Sequence, residues 1–271
     1  MLALCLGVFV ALGIGACDSL VEPGEPVEVL PPEPRTPPLS YEGFDPGNII
    51  SDEEFFDSSA MTEEQVEAFV NTWNDGCRTG IDGTPCLSEY REDTPSYTPD
   101  EYCPGGFEGG VGDTAASIIW KTSQSCGINP QVLLVTLQKE QGLITASGLR
   151  LNETRYAIAM GYACPDSSHC DPEFYGFANQ VYHGARQMRI YQAHPENYSV
   201  VPWQTTEIKY AYPPECGSSP VYLENQATAN LYNYTPYQPN DNAMVGIRGE
   251  CESAGNLNFY AYFNAWFGNA S

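Results

Sequence analysis

The cysteine pattern constrains the fold of this chain more than any other feature of its sequence. Ten cysteines are present, and all but the two nearest the N-terminus lie between residues 77 and 251. An even number of remaining cysteines is typical of disulfide bonding in an exported protein. Pairing chain neighbours predicts the bridges Cys77–Cys86, Cys103–Cys126, Cys164–Cys170 and Cys216–Cys251. The sequence alone does not select this pairing, because eight cysteines allow about 105 pairings.

A zinc site is the alternative interpretation of the same cysteines. Structural zinc sites commonly use closely spaced cysteine pairs, often completed by histidines. This chain contains no CxxC pair, and it has only three histidines. We therefore expect disulfide bonds, with no metal and no cofactor.

The N-terminus resembles a bacterial lipoprotein export signal. Residues Met1 to Gly15 are apolar or glycine and too few to form a permanent membrane span. The run ends in Ile14-Gly15-Ala16-Cys17, which resembles a lipobox whose cysteine receives a diacylglycerol. We predict a signal peptide at residues 1–16 and a lipid on Cys17 that anchors an exported protein to the outer face of the cytoplasmic membrane, at the cell surface. An ordinary signal peptide with a coincidental cysteine is the alternative.

The segment behind Cys17 is predicted to be a disordered stalk. Asp18 to Ser40 contains seven prolines interleaved with glutamates, a composition that favours extended chain over a packed core. We therefore assign residues 17–47 to a linker.

The whole chain has 35 acidic and 11 basic residues, a formal charge of −24. A protein this acidic repels phosphate backbones, which argues against nucleic acid as a partner.

Periodicity and capping residues predict helices rather than strands. Thr62 and Gln65 form a capping box, and Asn129 followed by Pro130 is typical of a helix start. Long alternating runs typical of strands are absent from the sequence. The predicted helices span about residues 62–72, 114–125, 130–142, 177–191, 226–232 and 257–267. We expect a mainly α protein with disulfide-bridged loops. Its predicted parts are a helix plus cysteine-containing loop extension at residues 48–112 and a helical domain at residues 113–268.

The chemistry is predicted to centre on Glu140. On the predicted helix 130–142, Glu140 follows Leu133 and Leu137 along one face and precedes Ile144, so a carboxyl lies in line with apolar side chains. Desolvation and the negative end of the helix both favour the protonated form of a carboxyl, which is the form that a general acid requires. The alternative is a solvated helix end with no role in chemistry.

Four segments carry a resemblance to a known superfamily, one of which, Tyr175–Gln180, begins the helix after the substrate-loop segment. Ile128–Gln141 resembles the catalytic-helix segment of lysozyme-like lytic transglycosylases and goose-type lysozymes. Ala157–Tyr162 lies where those proteins have a glycine-rich substrate loop, and Thr228–Pro236 resembles a later tyrosine-containing segment of their glycan groove. The combination is also similar to a group of actinobacterial exported proteins labelled hemagglutinin-related. Over residues 110–268, the resemblance implies a lysozyme-like helical domain.

The resemblance implies a glycan groove with Glu140 as the catalytic acid. Carried over position by position, it assigns roles in the substrate groove to Gln141, Met160, Tyr162, Tyr232 and Tyr234. Glycoside cleavage passes through an oxocarbenium-like centre that needs a second partner. The candidate second carboxylates lie in or beside the loop between Cys164 and Cys170, and they are Asp166, Asp171 and Glu173.

These assignments predict a cell-surface enzyme that cleaves peptidoglycan between N-acetylmuramic acid and N-acetylglucosamine. Hydrolysis by a muramidase and anhydro-sugar formation by a lytic transglycosylase both stay open. The alternative is a non-catalytic, hemagglutinin-like glycan-binding adhesin with a lysozyme-like groove, since Gln141 follows Glu140 where the families have serine. The expected partners are peptidoglycan strands and, through the lipid on Cys17, the membrane. We expect a monomer.

Overall fold

Four disulfide bonds link the loops of residues 34–268, the part of the chain that this computed structural model describes. The bridges are Cys77–Cys86, Cys103–Cys126, Cys164–Cys170 and Cys216–Cys251. The expected set of four disulfides is therefore present, and each bridge joins chain neighbours. Because a bonded cysteine offers no thiolate, these residues are not available as zinc ligands. The predicted signal peptide, Cys17 and most of the predicted stalk lie outside the described residues, as do residues 269–271.

Helices form most of the regular structure. The α-helices of the described residues are α1 (Asp52–Phe55), α2 (Glu63–Trp73), α3 (Ala115–Cys126), α4 (Pro130–Gln141), α5 (Glu153–Ala157), α6 (Phe177–Ala193), α7 (Gln226–Tyr234), α8 (Asp241–Met244) and α9 (Gly255–Phe267). Of the described residues, 45% are helical and 7% lie in strands, which confirms a mainly α protein. Each predicted helix is present. In the capping box, the Thr62 side chain accepts from the Gln65 N–H and the Gln65 side chain accepts from the Thr62 N–H. None of the helices within residues 34–268 has the combination of length and apolarity that crossing a membrane requires.

Two short antiparallel strand pairs are present where the sequence predicted no strands. The pairs are β1 (Arg91–Glu92) with β2 (Asp113–Thr114), and β3 (Thr205–Lys209) with β4 (Ser218–Tyr222). In the longer pair each strand has a single fully buried residue, Ile208 or Val221. One inward apolar residue per strand produces no detectable alternation, which is why the pattern did not reveal them.

Helix α4 is the centre of the core. It packs on α3 and α9, and its residues Val132–Val135 and Leu137 are fully buried. The Asn129 side chain fixes its start by accepting from the Gln131 N–H at 2.8 Å and donating to the Glu54 carbonyl at 2.7 Å. The helix is therefore buried on most of its faces, rather than along one stripe as predicted. Its C-terminal end is the part that approaches the surface.

Residues 48–112 share this core with residues 113–268. Their buried side chains join the apolar cluster around α4, among them Ile49, Phe55, Val66 and Leu87. Asn74 is 2% exposed, and its Nδ2 donates to the Ile144 carbonyl, just beyond α4, at 3.0 Å. The region that the sequence treated as an extension thus braces the helix that carries Glu140.

The last residues assigned to the linker contact the body of the protein. The Tyr260 hydroxyl donates to the Glu42 carbonyl at 2.9 Å. The Phe44 ring packs edge-on against Tyr260, with 5.5 Å between ring centroids. An aromatic side chain with a packed partner does not behave as spacer. Residues 42–44, at the end of the predicted linker, therefore pack against the body of the protein.

Candidate functional site

The end of helix α4 brings a charged segment from the core to the surface. Gly142 caps the helix in the left-handed conformation, with φ of 61°, which glycine adopts without steric strain. Its N–H donates to the Gln138 carbonyl at 2.8 Å. The helix therefore stops directly after Lys139, Glu140 and Gln141. The Glu140 side chain is 24% exposed and that of Lys139 only 3% exposed, so the carboxylate reaches solvent from the edge of the core.

Glu140 forms an ion pair through one of its oxygens. Its Oε1 lies 2.8 Å from Lys139 Nζ, and the same ammonium donates to Thr235 Oγ1 at 2.6 Å. Lys139 Nζ also lies over the Tyr234 ring, 5.5 Å from its centroid, where a cation–π interaction stabilises it. The sequence predicted a carboxyl among apolar side chains. The structure instead gives this carboxyl a charged partner.

The other oxygen, Glu140 Oε2, lies beside the loop that follows α5. A Cβ at Gly161 would lie 3.0 Å from this oxygen, and Gly161 has a φ of +70°, so both the space and the backbone favour glycine. The buried Gln180 amide fixes the loop: Oε1 accepts from the N–H groups of Met160 and Tyr162, and Nε2 donates to the Tyr162 carbonyl. The loop therefore sets how closely the backbone approaches Glu140.

Two clefts meet at Glu140. The first, which we call the acidic cleft, has a volume of about 370 Å³, and its lining includes Glu140, Gln141, Gly161, Asp166, Tyr234 and Tyr237. The second, which we call the arginine cleft, has a volume of about 350 Å³, and its lining includes Thr36, Lys139, Glu140, Gln141, Arg150, Arg155 and Tyr262. Glu140 and Gln141 line both clefts. Thr36 belongs to the segment that the sequence assigned to the stalk.

One of the three candidate second carboxylates shares a cleft with Glu140. Asp166 lines the acidic cleft and accepts a short hydrogen bond from the Tyr237 hydroxyl. Burial raises the pKa of Tyr237, and the hydrogen bond to Asp166 raises it further, so the phenol stays a donor. Asp171 and Glu173 are exposed and lie outside the lining of both clefts. The Asp171 side chain instead accepts from the Glu173 N–H at 3.0 Å, as the cap of a short turn.

Two of the predicted groove residues line the acidic cleft, namely Gln141 and Tyr234. The Tyr234 hydroxyl donates to the Met160 carbonyl at 2.7 Å. Burial raises the pKa of this phenol well above its ordinary value, and the charge of Glu140 adds to the effect. Tyr234 is therefore a neutral, oriented ring on the wall of the cleft and a support for the loop that carries Gly161.

The other three predicted groove residues lie elsewhere. Met160 and Tyr232 are fully buried, and burial also raises the pKa of the Tyr232 phenol. Tyr162 stacks on His183, with 5.8 Å between ring centroids, and packs edge-on against Phe174. These side chains belong to the core and to an aromatic cluster on α6. None of the three lines the acidic cleft or the arginine cleft, and the segment resemblance did not indicate which face of each segment is buried.

Among the lining residues that were not singled out from the sequence, four have large polar side chains suited to ligand contact: Arg150, Arg155, Tyr237 and Tyr262. Tyr237 directly follows the segment Thr228–Pro236, and that position was a usable signal. The two arginines come from the turn before α5 and from α5 itself, and Tyr262 comes from α9. No short motif connects these elements, because folding brings them together from distant parts of the chain.

Comparison of the chain with protein-family models, with curated proteins and with solved structures finds no match. Within residues 34–268, no group of three or more His, Cys, Asp or Glu side chains is arranged to hold a metal ion.

Proposed function

We propose that the protein is a peptidoglycan-cleaving enzyme, a muramidase or a lytic transglycosylase, with Glu140 as its general acid and base. The observation that carries the proposal is the position of Glu140 at the junction of two clefts, with Asp166 on the wall of one of them. Glycosidases commonly use a pair of carboxyl groups beside the scissile bond. A polymer lying across both clefts would place a glycosidic bond next to Glu140.

The proposed reaction begins with proton transfer from Glu140 to the glycosidic oxygen. The bond from this oxygen to the anomeric carbon breaks, and an oxocarbenium-like centre develops. In hydrolysis, Asp166 accepts a proton from water as that water attacks the anomeric carbon. In anhydro-sugar formation, the Glu140 carboxylate accepts the proton of the muramyl 6-hydroxyl, whose oxygen attacks the same carbon. Tyr237 would orient Asp166 through its hydrogen bond.

The remaining expectations from the sequence complete the proposal. The helical body would be a lysozyme-like domain, in keeping with the resemblance over residues 110–268. The lipid on Cys17 and a proline-rich stalk would tether this body, as a monomer, to the outer face of the membrane. An enzyme held in this way would act on the wall close to its own anchor. None of this tethering involves Glu140.

A glycan-binding adhesin without turnover is the second candidate function. The observation that favours it is the ion pair between Glu140 and Lys139, at 2.8 Å. In the structure this Glu140 oxygen faces an ammonium group, whereas a general acid must present its carboxyl to the glycosidic oxygen. Catalysis therefore requires that the substrate loosen this contact, whereas simple glycan binding does not.

The wild-type protein tests the proposal directly. Full-length protein purified in detergent would be incubated with insoluble peptidoglycan, and soluble products would be identified by mass spectrometry. We expect release of muropeptides, with either reducing muramic acid ends or anhydro ends that are lighter by one water. Binding to the polymer without any release would contradict the enzyme and support the adhesin.

The glycine beside Glu140 provides a prediction on positioning. Gly161→Ala is expected to lower the cleavage rate at least about tenfold, because a Cβ at 3.0 Å from Oε2 displaces the carboxylate, and small misplacements of catalytic groups are costly. Gly127→Ala is the matched control: its φ is +65°, and a Cβ there has no atom within 4 Å. Both substitutions are expected to lower the free energy of unfolding by about 1–2 kcal/mol, because each places alanine in a left-handed conformation. Denaturant unfolding measures this loss. Equal cleavage rates for the two variants would contradict the positioning role.

A further inference from the structure

The arginine cleft concentrates positive charge in a protein that has little of it. Three basic side chains, Lys139, Arg150 and Arg155, line this cleft, against one acidic side chain, Glu140. The whole chain carries only 11 basic residues against 35 acidic ones. Glu140 pairs with Lys139 at 2.8 Å, and a further anion bound in the cleft would lower the remaining repulsion among the basic side chains. The cleft therefore has the electrostatic character of an anion-binding site.

Arg155 is the residue whose contacts indicate this most directly. One guanidinium nitrogen, Nη1, donates to the Gln141 carbonyl. Its Nε is buried, and among the described residues it has no hydrogen-bond partner. Burial lowers the pKa of this guanidinium, and the charge of Arg150 lowers it further. A desolvated cation beside a second cation gains stability when a carboxylate or another anion binds it.

A purely structural role explains only part of this arrangement. A cation beside the last carbonyls of a helix stabilises the helix end, and the contact of Arg155 with Gln141 does this for α4. A single ammonium could perform that role, since the contact uses one N–H. The planar guanidinium offers five N–H groups in a fork that matches a carboxylate. The cap therefore does not account for the buried Nε, which has no hydrogen-bond partner among the described residues.

The position of the cleft beside Glu140 indicates which anion it would take. Peptidoglycan alternates two sugars, and only the muramyl sugar carries a lactyl ether, which ends in a carboxylate or continues into a peptide with carboxylates of its own. The acidic cleft on the other side of Glu140 presents Asp166 with the rings of Tyr234 and Tyr237. A carboxylate placed there would be repelled by Asp166, whereas the uncharged N-acetylglucosamine would not.

We propose that the arginine cleft binds a carboxylate of the muramyl side chain through Arg155 and Arg150, and so fixes which sugar lies on each side of Glu140. The inference rests on the proposed function, since it names the part of the same substrate that the second cleft recognises. The muramyl sugar lies at the arginine cleft, and the N-acetylglucosamine lies at the acidic cleft. The strand therefore has one productive direction, in which a bond between these two sugars faces the carboxyl of Glu140.

Binding measurements on the wild-type full chain test this without any cleavage step. Calorimetry or NMR titration would compare N-acetylmuramic acid with its methyl ester, and muramyl dipeptide with its amide. We expect at least one acid to bind at least about tenfold more tightly than its uncharged counterpart, as befits charge-assisted bonding to arginine. A preference in the first pair identifies the lactyl carboxylate, and a preference in the second pair identifies a peptide carboxylate. Equal affinities within both pairs would overturn the proposal.

Variants then identify which residues cause the preference for the acid over its uncharged counterpart. Arg155→Gln is expected to remove most of the preference for the acid, and Arg155→Lys to keep part of it, because lysine retains the charge but not the fork. Arg189→Gln is the control, since Arg189 is a partly buried arginine over the Phe56 ring, outside the arginine cleft. It should keep the full preference. An unchanged preference in folded Arg155→Gln would overturn the assignment.

The outcome separates the two proposals. Carboxylate-selective binding by a protein that cleaves nothing would leave this inference standing and would contradict the enzyme. Cleavage by a protein with no preference for the acids would support the enzyme and overturn this inference alone.

Discussion

Glu140→Gln is expected to lower the rate of muropeptide release at least about 10³-fold while leaving the protein folded. General acid–base catalysis contributes about 10²–10⁴-fold, and the amide of glutamine has no proton to transfer at the required step. The substitution keeps the size of the side chain. The amide oxygen can still accept from Lys139 Nζ, which lies 2.8 Å from the carboxylate in the wild type. The loss should therefore appear in turnover rather than in the folded structure.

The matched control for this substitution is Glu173→Gln. Glu173 was a candidate carboxyl from the sequence, but the structure places it in an exposed turn outside both clefts. The Glu173→Gln protein should cleave peptidoglycan at the wild-type rate. Muropeptide release would be followed in single-turnover and steady-state assays, with circular dichroism as the check on folding. Wild-type rates for a folded Glu140→Gln protein would remove Glu140 from the mechanism and leave the clefts as binding surfaces.

The helices could be predicted because their signals are local. The Thr62–Gln65 box and the Asn129-Pro130 start act within one turn of helix, so no knowledge of the rest of the fold was needed. The β3–β4 hairpin is different. Its strands are held mainly by backbone pairing between residues 205–209 and 218–222, and such pairing leaves little trace in side-chain pattern. The sequence therefore predicted the helical class and missed the hairpin.

The site was predictable only in part, and Tyr232 and Tyr234 show why. Two residues two positions apart on a helix point in directions about 200° apart. In α7, Tyr232 is fully buried and Tyr234 lines the acidic cleft. The sequence placed both in the groove, because it did not indicate which face of α7 meets the core. Arg155 illustrates the second limit, since its role depends on its distance to Gln141, which only tertiary folding determines.

The position of Asp166 favours hydrolysis. Asp166→Asn is therefore expected to have the second large effect on the cleavage rate. Asp166 lies in the acidic cleft with Glu140 and is oriented by the Tyr237 hydroxyl, so it is the carboxylate that we propose as the group that activates water. The asparagine variant has the same shape but is a poor base, and its rate should fall about 10²-fold. If Asp166 activates water in this way, products of the wild type carry reducing muramic acid ends, which mass spectrometry identifies.

Asp171→Asn is the control for Asp166→Asn. Asp166 lies within the loop that the Cys164–Cys170 bridge closes, and Asp171 directly follows that loop, where it caps an exposed turn through the Glu173 N–H. A folded Asp171→Asn protein should retain the wild-type rate. An Asp166→Asn protein with an unchanged rate and anhydro products would contradict a water-activating role. In that case the muramyl 6-hydroxyl would replace water as the attacking group, and Glu140 would have to both donate and recover the proton. Such a reaction requires the Glu140 carboxyl to lie within hydrogen-bond reach of both the glycosidic oxygen and the muramyl 6-hydroxyl.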